Sequence, residues 1–183
     1  LAPGQAHQET AGMWTAEELI TLLDLKPLPR EGGFYRETYR SSDCWPAGSL
    51  SRFPKEKSAA TAIYYLLTPD TFSALHRLPT DEIFHFYLGD PVSMLQLRPD
   101  GTGRIVTLGP ELRRGQQLQV VVPRGVWQGS FLAPGGKVAL LGTTMAPGFD
   151  FDDYEPGQRA NLLRQYPLFG DIIRRLTPDE DSP

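Results

Sequence analysis

From Phe34 to Met145 the chain repeats one pattern, short stretches of alternating or unbroken apolar residues, each closed by glycine, proline or aspartate. Alternation sends successive side chains to opposite faces of a strand. Phe34, Arg36, Thr38 and Arg40 thus oppose Tyr35, Glu37, Tyr39 and Ser41 in a strand with one polar face. Ala59 to Leu67 is apolar enough to be a buried strand, and Phe72 to His76 follows after the Pro69-Asp70 turn. Val92 to Arg98 and Arg104 to Leu108 flank Pro99-Asp100-Gly101, a hairpin signal. Gln119 to Val122, Val126 to Leu132 and Lys137 to Met145 supply three more, separated by Pro123-Arg124-Gly125 and Pro134-Gly135-Gly136. The count reaches about nine or ten strands in one run, which predicts a mainly β domain.

The periodicity changes at both ends. Thr15 and Glu18 form a T-x-x-E capping box ahead of Leu19, Ile20, Leu22 and Leu23, which predicts a short helix closed by Pro27 and Pro29. Arg159 to Gln165 and Leu168 to Leu176 read as two short helices split by Pro167. The predicted architecture is a β-barrel or sandwich flanked by helices, a single domain over residues 14–177. Residues 1–13 are expected to be a disordered leader in which His7 is idle, and residues 178–183 a frayed tail. Residues 42–57 read as a long loop, either a lid over a cavity mouth or a surface excursion.

Composition narrows the function classes. Charged residues are 22% of the 183, with a formal net charge of −4. That balance, with lysine and arginine scattered, does not point to a nucleic-acid partner, and no apolar run reaches membrane-helix length. The basic pairs Arg113-Arg114 and Arg174-Arg175 are read as solvated surface. The single cysteine, Cys44, excludes an internal disulfide framework and a multi-cysteine zinc site, and makes a cytoplasmic location the default. Cys44 has no histidine near it in sequence to activate a nucleophile.

The chemistry concentrates in HRLPTDEIFHFYLG, residues 76–89, which holds two of the three histidines. It reads as a strand, a turn containing Asp81, and a second strand. In that second strand Glu82, Phe84 and Phe86 share one face, and Ile83, His85 and Tyr87 the other. If Glu82 points inward, His85 points to a sheet or subunit contact. A bulge would instead bring His85 in beside His76 and Glu82.

These spacings resemble the two motifs of the cupin superfamily, G-x5-H-x-H-x3/4-E-x6-G and G-x5-P-x-G-x2-H-x3-N. Against the first, the chain offers His76, Glu82 and Gly89, with Leu78 at the second histidine and Asp70 at the opening glycine. Against the second it offers Pro123, Gly125 and Gln128, with Gln128 at the third histidine and Gln117 and Leu132 at the outer positions. The segments EGGFYRETYRS, TAIYYLLTPDTFSALHRLPTDEIFHFYLGDP, VVVPRGVWQGSFL and APGFDFDDYE are similar to the family called cupin 5, over nearly all of residues 15–177. The resemblance implies a jelly-roll barrel of the RmlC-like kind and a small-molecule ligand. It also implies a homodimer, since related cupins pair their barrels and lend a strand across the interface.

Metal-dependent cupins use three histidines and a glutamate, a donor set suited to iron, manganese, nickel or zinc. With Leu78 and Gln128 at two ligand positions, that set cannot form here. The resemblance then leaves three readings. In the first, no cofactor is needed: His76 and Glu82 are an acid/base pair, as in the metal-independent sugar-nucleotide epimerases of the superfamily, where a histidine is base and a tyrosine acid. Tyr35, Tyr39, Tyr64 and Tyr65 are the candidate partners. Arg36 and Arg40 are candidates to hold an anionic substrate, and Gln128, Trp127 and His85 to contact a sugar-like ligand. In the second, a divalent metal sits on the reduced set His76, Glu82 and Gln128. The third is a non-catalytic binding or storage barrel, so whether the chain is an enzyme stays open at this point.

Overall fold

The structure, a computed structural model, describes residues 14–178. The expected leader and residues 179–183 of the expected tail lie outside the described residues. Helix α1 (Ala16–Leu22) opens the fold, followed by β1 (Lys26–Pro27), β2 (Phe34–Arg40), β3 (Cys44–Trp45), β4 (Lys57–Ser58) and β5 (Thr61–Leu67). Next come β6 (Phe72–Arg77), β7 (Glu82–Gly89), β8 (Val92–Leu97), β9 (Gly103–Leu108), β10 (Gln119–Val122), β11 (Trp127–Leu132) and β12 (Ala139–Met145). The chain ends through β13 (Glu155–Pro156), α2 (Arg159–Gln165) and α3 (Gly170–Arg175).

Thr15 caps α1 as the sequence implies. Glu18 N–H donates to Thr15 Oγ1 at 3.2 Å, and Thr15 N–H donates to Glu18 Oε2 at 2.9 Å. The helix stops before the prolines, at Asp24, whose φ of 49° leaves the helical region. Residues 42–57 are not a structureless loop, since β3 and β4 pair as a small antiparallel hairpin.

Two sheets form the body. The larger runs β1-β2-β5-β12-β7-β10 and the smaller β13-β6-β11-β8-β9. Between them lies an apolar core that includes Leu67, Phe84, Phe86, Met94, Val120, Val122 and Leu141. Burial of each such side chain stabilises the fold by about 1.5–3 kcal/mol. Helix α1 covers part of the larger sheet's outer face through Leu19, with Leu25, Leu66 and Leu140. Helices α2 and α3 cover the outer face of the smaller sheet through Leu162 and Ile173, against Leu95, Leu97 and Trp127.

The expected barrel is in fact an open sandwich. At one side the edge strands β1 and β13 are two residues each and both contain a proline, which has no N–H to extend a ladder. At the other side the sheets meet at an isolated bridge between Leu108 and Gln117. Among the described residues, no helix is long and apolar enough to cross a membrane.

Candidate functional site

The polar site sits between the sheets, where β6 and β11 of the smaller sheet face β7 of the larger. Gln128 lies directly opposite His76 in the β6–β11 ladder. The register then slips, because Gln128 pairs with His76 but Ser130 with Ser73, an extra residue on β6. This bulge re-aims side chains that strict alternation would separate. It lets Ser73 and His76 both reach Glu31, while Leu75 between them joins the core beneath the C-terminal helices.

Glu31 comes from the turn before β2. Its carbonyl accepts from Ala74 N–H at 2.8 Å, which fastens the turn to β6. Gly32, at φ +94°, is pressed so close to this strand that a Cβ there would stand 2.5 Å from the Phe72 carbonyl oxygen. Tyr65 OH donates to the Gly32 carbonyl at 3.0 Å.

The contacts define a connected cluster. Ser73 Oγ donates to Glu31 Oε1 at 2.7 Å, and Glu31 Oε2 lies 3.9 Å from His76 Nε2. The Gln128 amide nitrogen donates to Glu82 Oε2 and stands 3.3 Å from His76 Nε2. Thr143 adds a hydroxyl bond to Glu82. His76 Nδ1 lies 2.7 Å from the Ala74 carbonyl oxygen, an acceptor that requires the proton on Nδ1 and leaves the Nε2 lone pair facing Gln128. His76, Glu82 and Gln128 are all buried.

Burial sets the charge states. It pushes the Glu31 and Glu82 carboxyls up to about 7 each, the Ser73 bond opposing this for Glu31. For Glu82 the charge of Glu31 adds to the rise, while His76, Gln128 and Thr143 oppose it. Burial lowers His76, more than Glu82 and the Ala74 bond raise it. The cluster therefore holds a neutral imidazole beside two carboxyls poised near neutrality, a combination suited to general acid/base chemistry.

The other candidates lie elsewhere. The β7 bulge falls at Tyr87, beyond His85, so His85 stays on the outer face. There its Nε2 is 2.9 Å from Thr144 Oγ1 and its Nδ1 is 3.2 Å from Gln119 Nε2. Tyr64 lies on the same outer face, with the Arg36 guanidinium 5.5 Å above its ring and Tyr87 edge-on to it. Trp127, one residue from Gln128, faces the opposite way into the helix-covered core, with Arg77 over its ring. Among the candidate tyrosines, Tyr65 is inside, Tyr35 packs partly buried against the central core, and Tyr39 is exposed. Arg40 pairs with Glu37 and Asp150. Asp81 ties the loop before β7 to the one before β11, accepting from Arg124 N–H at 2.7 Å.

A cleft of about 1400 Å³ opens beside the cluster, lined by residues 51–57, 77–79, 124–125 and 150–156. His76, Glu82 and Gln128 do not line it. Tyr154 belongs to both, since it lines the cleft and its ring stacks on His76 at 4.9 Å between centroids and 25° between planes.

A family model described as Cupin superfamily (DUF985) matches residues 17–156. The chain belongs to this cupin family. An uncharacterised protein of Saccharomyces cerevisiae is 32% identical over 134 residues, covering 68% of this chain and 67% of that protein. A hypothetical protein from Leishmania major is similar in structure, with a TM-score of 0.81 and 32% identity over 91% of this chain and 100% of that one. A protein from Shewanella oneidensis has the same TM-score and identity, over 92% of this chain and 100% of its own. Oxalate decarboxylase of Bacillus subtilis, with Mn(II) centres, shares the fold at a TM-score of 0.51 and 14% identity, over 86% of this chain and 39% of that one.

The cupin metal does not fit this donor set. The nitrogen of the Gln128 amide, a hydrogen-bond donor, is lodged between Glu82 Oε2 and His76 Nε2, the atoms a cation would need. Leu78 offers no lone pair. Among the described residues, no group of three or more His, Cys, Asp or Glu is arranged to hold a metal.

Glu31, Ser73, Thr143 and Tyr154 were not identifiable from the cupin motifs. Two weak signals existed: an acid immediately before a glycine pair, and the APGFDFDDYE segment, which contains Tyr154.

Proposed function

We propose that this cupin binds a polar, carbohydrate-like small molecule between its sheets and catalyses its isomerisation or epimerisation without a metal. The supporting observation is the fixed tautomer of His76, whose Nε2 lone pair faces Gln128 and Glu31. As base, Nε2 exchanges its long 3.3 Å contact with the Gln128 amide for the ligand, takes a proton from a carbon next to a carbonyl, and the electron pair moves onto the carbonyl oxygen. The carboxylic acid of Glu82 protonates that oxygen. In a ligand with a hydroxyl on that first carbon, His76 returns its proton to the former carbonyl carbon while the Glu82 carboxylate takes the proton of that hydroxyl, which gives the isomer. For the epimer, water protonates the opposite face of the first carbon, His76 releases its proton to water and the enol hydroxyl returns its proton to Glu82, so in both cases substrate and product have the same atoms. Gln128 Oε1, buried without a partner, is an acceptor for a ligand hydroxyl.

The test is incubation with a panel of sugar nucleotides in deuterated water. The proposal expects deuterium at a carbon of at least one member, together with thermal stabilisation of the protein. Neither effect from any member would sink it.

The proposal includes a homodimer. It is supported by the outer face of the larger sheet, where Tyr87 and Val121 lie exposed beside His85, beyond the cover of α1. Light scattering of the wild type and Val121→Asp checks this, with dissociation expected in the variant. The exposed, unpaired thiol of Cys44 suits the reducing cytoplasm.

A further inference from the structure

We infer that Tyr154 is the door between the open cleft and the buried His76 cluster, and that the segment 150–155 carrying it is a strap latched by Lys57. The inference rests on the proposed site at His76, which has no other use for a cleft it does not line.

The geometry makes Tyr154 the partition. Its ring covers one face of the imidazole, and the same residue lines the cleft, which His76 does not. A ligand that reaches His76 from the cleft must take the place of this ring, which favours a flat or ring-shaped ligand. The ring is weakly tethered by its own hydroxyl, whose bond to the Arg30 carbonyl is 3.4 Å long.

The strap is held mainly by charge. Lys55 Nζ reaches Asp152 at 2.6 Å, and Arg77 forks onto Glu155 with both bonds at 2.7 Å. These pairs are substantially exposed, and exposed pairs hold weakly and are screened by salt. Lys57 is the exception. It is buried, and its ammonium is shared between Asp150, at 2.5 Å, and Asp153. Strand β13 adds only two paired residues, Glu155 with Arg77 and Pro156 with His76. Apart from Tyr154 itself and Phe151, which packs edge-on against Phe149, the segment's side chains are acidic and mostly at the rim, which describes a segment that opens locally below the cost of global unfolding.

Diethyl pyrocarbonate, which carbethoxylates neutral imidazole nitrogen with release of ethanol and carbon dioxide, reads the door directly. Peptide mass spectrometry follows His76, with His76 of the urea-unfolded protein as the reference for an open site. In the folded wild type His76 should react at least tenfold more slowly than in the unfolded chain. Tyr154→Ala and Lys57→Met should each speed His76 about tenfold or more, because modification of a closed site tracks the population of its open form. Tyr154→Phe, which keeps the ring, should leave the rate unchanged. The door is overturned if His76 of the folded wild type reacts as fast as in the unfolded chain, or if Tyr154→Ala leaves its rate unchanged. The latch is overturned if Lys57→Met has no effect, and this variant also carries the test should Tyr154→Ala fail to fold. None of these readouts needs turnover, so a working door with no deuterium uptake would contradict the proposed catalysis alone.

Discussion

Gln128 and His76 face each other across the β6–β11 ladder, with the Gln128 amide nitrogen 3.3 Å from His76 Nε2 and donating also to Glu82. One glutamine thus satisfies two buried acceptors. Its removal leaves both without that donor. Gln128→Ala is expected to cost about 1–3 kcal/mol, the penalty of stranding buried polar groups, measurable by urea unfolding. A loss within experimental error would mean that the amide is incidental to the cluster.

The two carboxyls predict a pH signature. Folding raises Glu31 and Glu82 from 4.5 to about 7, chiefly by burial. Between those values the folded state keeps protons that the unfolded chain has released. Each group's contribution is therefore complete below about pH 4.5 and is lost as the pH rises through about 7, a change on the order of 3 kcal/mol. Glu82→Gln removes one such group. Relative to wild type, the variant should gain stability between about pH 5 and pH 8, by up to that amount. Denaturation curves that shift in parallel for both proteins would contradict the assignment.

The Gly32 turn predicts a coupled effect. A Cβ at this position would lie 2.5 Å from the Phe72 carbonyl oxygen, at a φ of +94° that side chains rarely adopt. Gly32→Ala should destabilise by about 1–3 kcal/mol and displace Glu31 from Ser73. With Glu31 displaced, the carbon-detected NMR titration of Glu82 should move down toward the ordinary carboxylate range. A Glu82 titration unchanged from wild type would show that Glu31 does not act on it.

How much of this could be read from the sequence follows from the reach of each signal. Period-two alternation places Glu82, Phe84 and Phe86 inward and His85 outward, and the structure agrees because the β7 bulge falls later, at Tyr87. Motif spacing brings together His76, Glu82 and Gln128, since all three lie on adjacent stretches of paired strand or across the core. Glu31 escaped because a turn residue carries no periodicity, and its position depends on the close approach of Gly32 to β6. Ser73 escaped because the β6 bulge breaks the alternation that would have turned it outward. Proximity in sequence puts Trp127 beside Gln128, but adjacent strand residues point to opposite faces, and Trp127 packs beneath the C-terminal helices.

The central claim is that the donors at the cupin metal position are committed to hydrogen bonds. Its most direct test is elemental analysis of protein purified without chelator, after supplementation with iron, manganese, nickel and zinc. The account predicts metal far below stoichiometric, and no difference between wild type and His76→Ala. A stoichiometric metal that is lost in His76→Ala or Glu82→Gln would contradict it.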